Sequence, residues 1–272
     1  MKTVHTPFIL FCLFSFTAGA QTGYSDAGGR TNSMGNAGVT LQDVYSAQNN
    51  QAGLAFIEMI TVGISTENYF LVDGGINAHY GVFALPIKDQ GVFGVSLNYV
   101  GDNTFNQSKI GIGYGRKLAE NVSIGLQLEY VGTKTIEAGS GAAFTFDIGI
   151  LYKPAKSLTI GAKAFNPIRV NTGLDYAEEL PALINVGLAY QPSEKIMMCA
   201  EGELNINDDL RAKFGIEYHI VEQLYLRSGY ISNPSMYTFG IGVKIKELKI
   251  DISSQFHQQL GMTPGLGLSY AF

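Results

Sequence analysis

Apolar and polar residues alternate with a period of two along most of this chain, and the last nine residues show it most clearly. Leu266, Leu268, Tyr270 and Phe272 alternate with Gly265, Gly267, Ser269 and Ala271. Such a strand has one apolar face with an aromatic edge and one small, bare face. Runs of this kind, separated by turn residues, predict about fourteen strands. They cover 60–69, 75–86, 91–100, 106–117, 122–134, 142–153, 158–168, 182–191, 196–206, 210–220, 224–232, 236–246, 248–258 and 264–272.

A hairpin-sized repeat supports that reading. Gly-Ile-Gly-Tyr114, Gly-Ile-Leu-Tyr152, Gly-Leu-Ala-Tyr190 and Gly-Ile-Glu-Tyr218 each precede a short polar turn and a new alternating run. Turns after even strands are short. Several after odd strands are expected to be longer: Thr135 to Gly141, Asn166 to Leu180 and Gln255 to Thr263. Membrane barrels have this parity, with short periplasmic turns and longer outer loops. The predicted fold is therefore all-β, a transmembrane antiparallel up-and-down barrel over residues 59–272.

Facing follows from the alternation. Val122, Ile124, Leu126, Leu128 and Tyr130 should meet lipid, with Ser123, Gly125, Gln127 and Glu129 inside. The inward set carries Glu129, Asp147, Lys163, Glu201, Glu203, Arg211, Lys213, Glu217, Arg227, Lys244, Lys249 and Asp251. A pore filter tends to show one sign of charge. Balanced signs read more simply as cross-strand pairs that brace the wall. Many other inward positions are Gly, which leaves room for a filling segment. Gln21 to Phe56, rich in Gly, Ala and Asn with a short helix expected over Asp43 to Asn50, suits a periplasm-facing plug over residues 21–58.

Composition narrows the class. Only 15% of residues are charged and 33 are Gly, with a mean hydropathy of +0.11. No apolar run after the first residues is long enough for a spanning helix, whereas barrel strands show lipid only every second side chain. Met1-Lys2, the apolar stretch Pro7 to Phe16 and Ala18-Gly19-Ala20 read as a signal peptide cleaved near Ala20. Cys199 would then be the sole cysteine, so no intrachain disulfide is expected. A mildly acidic balance without a basic cluster argues against nucleic acid.

Two resemblances add to these readings. The final strand looks like the last strand of bacterial outer-membrane barrels. That likeness implies that Leu266, Leu268, Tyr270 and Phe272 are read by the barrel-insertion machinery, with outer-membrane lipid as surroundings and the N-terminus in the periplasm. The segment Gly28-Gly29-Arg30-Thr-Asn-Ser-Met34-Gly35-Asn-Ala37-Gly-Val-Thr-Leu41-Gln-Asp43, followed by Asn50-Gln-Ala-Gly53-Leu-Ala, resembles the N-terminal signature of FadL-like barrels. Those include fatty-acid transporters and the PorV/PorQ group of type IX secretion. Gln51 stands where the family has proline. The resemblance implies a fourteen-strand barrel with an N-terminal hatch shaped by Arg30, Met34, Gly35, Ala37, Leu41, Asp43, Asn50 and Gly53. It offers two functions: binding or passing a small hydrophobic molecule, which is preferred, and an accessory or scaffold role that binds secretion-system proteins.

Other features point to no chemistry. His79, His219 and His257 lie far apart without acidic or cysteine companions, so no metal or cofactor is expected. Glu201 and Glu203 could mimic a glycosidase pair, but Arg211 and Lys213 on the next strand offer salt bridges. Ser228 and His257 make no persuasive dyad, so the expectation is a non-enzyme. Asn166-Pro167 and Asn233-Pro234 are read as loop turns.

Overall fold

The structure, a computed structural model, describes residues 26–71, 75–136, 139–173, 180–205 and 210–272. The expected signal peptide, its cleavage site and residues 21–25 lie outside these.

Fourteen strands close into a barrel in sequence order: β1 (Thr61–Asn68), β2 (Asn77–Ile87), β3 (Gly91–Gly101), β4 (Phe105–Ala119), β5 (Val122–Thr135), β6 (Gly139–Ala155), β7 (Leu158–Phe165), β8 (Leu183–Ser193), β9 (Ile196–Asn205), β10 (Arg211–Val221), β11 (Leu224–Ile231), β12 (Met236–Ile245), β13 (Leu248–His257) and β14 (Gly261–Ala271). Every pairing is antiparallel, and β1 closes on β14 from Thr61↔Ala271 to Glu67↔Gly265. Closure leaves no strand edge with unmet backbone groups, which a lipid-embedded sheet requires. The Phe272 N–H extends the seam by donating to the Ile60 carbonyl at 2.8 Å.

The pattern of burial is inverted relative to a water-soluble barrel. Ile64, Ile112, Leu128, Phe144 and Ile252 stand exposed around the outside, Phe144 at 76%. Glu129, Asp147, Lys213 and Glu217 are buried inside, as the alternation predicts. Large apolar side chains exposed on strand after strand mark a surface that meets a membrane or a partner. Tyr152, Tyr190 and Tyr218, from the hairpin repeat, are exposed on that face, as a girdle requires.

The turn parity holds, with differences in detail. Even-strand turns close over short stretches such as 120–121, 156–157 and 222–223, and the widest connection, 166–182, follows β7. Two expected loops shrink because the alternation runs further than the turn residues suggest. β6 begins at Gly139 and β14 at Gly261, leaving only 136–138 and 258–260 as connections. Asn166 does more than turn a loop. It is buried, accepts from the Val170 N–H at 3.0 Å and the Thr145 hydroxyl at 2.9 Å, and donates to the Leu180 carbonyl at 3.0 Å.

Candidate functional site

Residues 26–57 run inside the barrel and fill its even-turn end. Two short helices, α1 (Gly29–Ser33) and α2 (Ser46–Asn49), and a 3₁₀ turn (Gln51–Phe56) carry this inner segment. The short helix expected over 43–50 is thus α2, and α1 is an element that the alternation gave no sign of. Its fold is held by side chains with amide and hydroxyl groups. Asn50 Oδ1 caps the 3₁₀ turn by accepting from the Ala52 N–H at 3.1 Å, while its Nδ2 donates to the Val39 carbonyl at 2.7 Å. Ser46 donates to the Leu41 carbonyl at 2.9 Å, and Asp43 accepts from the Tyr45 N–H at 3.0 Å. Gln51 opens the 3₁₀ turn. Proline suits such a first position because its missing N–H costs nothing there. Gln51 instead anchors to the wall, donating to Gln127 Oε1 at 3.0 Å and to the Ala47 carbonyl at 3.2 Å.

Inward glycines form the seat. A Cβ on Gly94 would lie 2.7 Å from Leu54 Cδ1, one on Gly187 2.7 Å from Val39 Cγ1, and one on Gly215 2.7 Å from Met34 Cβ. Gly149 receives Asn50, Gly229 receives Gly35, and Gly240 receives Ser33. Gly149, Gly187 and Gly215 are the first residues of three of the four Tyr-ended repeats. Gly35 itself has φ +66, and a side chain there would strike the Phe214 and Tyr230 carbonyls. The Met-Gly pair of the motif is therefore a docking contact, with Met34, Ala37 and Leu41 packed on Ala189 and Cys199.

Two sides of the lumen hold this segment by different forces. Toward β2 and β3 the contact is apolar: Val44, Tyr45, Ala47 and Leu54 pack with Ala78, Tyr80, Val82, Ala84 and Val92. Toward β9–β13 it is ionic. Arg30 forms a two-pronged contact with Glu217, at 2.9 Å from Nε and 2.8 Å from Nη2, and meets Asp43 at 3.3 Å. Glu217 also accepts from Arg227 Nε at 2.6 Å, and Arg227 reaches Asp251 at 2.5 Å. Burial disfavours the Arg30 charge, yet Glu217 and then Asp43 outweigh it and raise its affinity for its proton above the ordinary guanidinium value.

Lys213 lies 3.0 Å from Asp26, 3.0 Å from Glu201 and 2.8 Å from Glu203, and Arg211 meets Glu203 at 2.9 Å. The oxygens of Asp26, Glu201 and Glu203 lie within 4.8 Å of one another. The lysine ammonium already sits among them, so these carboxylates form a lysine cage. The same contacts commit Glu201 and Glu203 to cations and to Asn185, with the Lys213 ammonium shared by both. Two further pairs, Lys109–Glu129 at 3.4 Å and Lys163–Asp147 at 3.0 Å, line the opposite wall.

The structure therefore brings together Glu129, Asp147, Lys163, Glu201, Glu203, Arg211, Lys213, Glu217, Arg227 and Asp251, together with Arg30 and Asp43. It leaves Lys244 and Lys249 out. They face each other across β12 and β13 near the even-turn rim, are exposed, and make no ion pair among the described residues. His219 also departs from expectation, with Nε2 3.1 Å from Glu217, because the two share a strand face two residues apart. Ser228 faces outward, where a groove of about 560 Å³ runs beside Phe239 and Ile252 on the lipid side. His257 Nδ1 accepts from two backbone N–H groups of the β13–β14 turn. Sequence reasoning missed Asp26, Glu67 and Lys109. The parity of β1 and β4 would have placed the last two inside.

No family model matches the sequence, and no curated protein matches it. Solved structures do. A deltaS2S3 mutant of the TodX monoaromatic hydrocarbon channel aligns with a TM-score of 0.73 at 13% identity, covering 90% of this chain and 99% of that one. The Pseudomonas putida toluene transporter TodX aligns at 0.66 and 12%, covering 90% and 96%. A Pseudomonas aeruginosa FadL homologue aligns at 0.64 and 14%, covering 88% and 96%. At this identity the likeness establishes the fold alone, a closed antiparallel barrel.

Proposed function

We propose that this chain is a non-enzymatic outer-membrane barrel that passes small hydrophobic molecules, with the inner segment acting as a hatch on the periplasmic side. The observation that carries the reading is the unequal seating of that segment. An apolar molecule entering between Leu54 or Val44 and the β2–β3 wall replaces one apolar contact by another and strands no polar group. Entry on the β9–β13 side would uncouple buried ion pairs, which costs several kcal/mol. Passage is thus directed along one wall while the other anchors the hatch. The names of the structural neighbours, hydrocarbon channels and a toluene transporter, agree with this reading. A secretion-accessory role would be served by broad outer loops, and connections as short as 102–104, 136–138 and 258–260 give it little surface.

The test is entry of the apolar fluorophore N-phenyl-1-naphthylamine into cells with and without the barrel. Several-fold faster entry with the barrel is expected, together with a changed rate when residues 22–55 are deleted from an inserted barrel. Equal rates in all three strains would overturn the proposal.

A further inference from the structure

One buried lumenal carboxylate stands apart from the rest. Glu67, on β1, is 2% exposed, and no Lys, Arg or His among the described residues lies within ion-pair distance of it. Its cross-strand neighbours explain why: Ala78 on β2 and Gly265 on β14 have no group that could pair with it. One oxygen accepts a long hydrogen bond from Gln255 Nε2 at 3.3 Å, and the other, Oε1, has no donor. Asn32 of α1 turns its side-chain amide toward Glu67 from the inner segment, and its own side-chain oxygen, also buried, accepts nothing. Wall and hatch thus set a buried carboxylate and a buried amide oxygen side by side, with amide groups and no cation to answer them.

The surroundings reinforce the sign. Lys213 and Arg211 face Asp26, Glu201 and Glu203, while Arg30 and Arg227 face Asp43, Glu217 and Asp251. In each cluster the cations are already committed to carboxylates of their own. A buried carboxylate is costly unless it is paired and hydrogen-bonded or takes up a proton. We propose that Glu67 and Asn32 form a binding site for a monovalent cationic donor, either the ammonium end of an apolar amine or a small free cation. Building on the passage reading, the site adds a choice of head group: amines and neutral molecules are admitted, and ionised fatty acids are repelled by the unpaired carboxylate.

Isothermal titration of the detergent-solubilised barrel with decylammonium, decanol, decanoate and ethylammonium separates the cases. The expected result is decylammonium bound at least tenfold more tightly than decanoate. Glu67→Gln should abolish that preference and leave decanol unchanged, and Asn32→Leu should weaken it in a barrel whose wall is untouched. Ethylammonium binding as tightly as decylammonium, and lost in Glu67→Gln, supports the site and identifies a small free cation as its occupant. Decanoate binding as tightly as decylammonium, or a cation affinity indifferent to both substitutions, overturns it. Decanol failing to bind would sink the passage reading alone, since cation binding that depends on Glu67 would still stand.

Discussion

The β2–β3 wall and the β9–β13 wall grip the same inner segment in opposite ways. On the first, Leu54, Ala47 and Val44 lie against alanine, valine and tyrosine, a contact without direction that tolerates exchange of partner. On the second, Arg30 is gripped by Glu217 at two points and backed by Asp43, and Arg227 and Asp251 continue the chain. Charges taken out of water are stable only in one geometry, so this side fixes position. A hatch needs both properties: a side that yields and a side that holds.

Three changes break or sharpen that contrast. Glu217→Ala leaves two guanidinium groups buried without their shared partner. It should cost about 3–5 kcal/mol, as expected for breaking a buried pair, read as a lower thermal midpoint by circular dichroism together with new tryptic cutting at Arg30. Leu54→Ala acts on the yielding side and should cost about 2–5 kcal/mol, with Arg30 still protected from trypsin. The two losses should add within about 0.5 kcal/mol if the walls act independently. Strong coupling between them would erase the distinction drawn here. Gly187→Val fills the seat of Val39 and should cost about 1–3 kcal/mol by overpacking.

The smallest effect concerns neither wall. Asp102, exposed in the β3–β4 connection, accepts from the Phe105 and Thr104 N–H groups, at 2.9 and 2.7 Å, and these bonds hold its carboxyl below the usual carboxylate range. A depressed value means that the loop's extra order is present above the unfolded carboxylate pKa and is lost as pH falls through the lowered one. Hydrogen exchange at Thr104 and Phe105 should therefore stay slow at neutral pH and lose protection only in strong acid. Asp102→Ala should lose it at all pH values.

The barrel was legible because its rule is local. One side chain in two meets lipid, so Val122 to Tyr130 or Phe144 to Tyr152 reveal both strand and facing. Most lumenal charges followed from the same parity. What could not be read was which charges meet. Arg30 and Glu217 are 187 positions apart, and only closure of the barrel around the inner segment brings them together. The repeat glycines show the same limit. They mark each hairpin in the sequence, but that Gly149, Gly187 and Gly215 leave space for Asn50, Val39 and Met34 depends on a segment that carries no alternation. Loop lengths erred where Gly139 and Gly261 looked like turns and instead begin strands.

A reversible staple tests the central claim most directly. A Cβ on Gly94 would lie 3.4 Å from the Ala47 Cβ, close to disulfide geometry, so Ala47→Cys with Gly94→Cys can lock the hatch to the yielding wall. Oxidation should stop entry of N-phenyl-1-naphthylamine, and dithiothreitol should restore it. Entry at the same rate with the disulfide formed would contradict passage between the hatch and the β2–β3 wall.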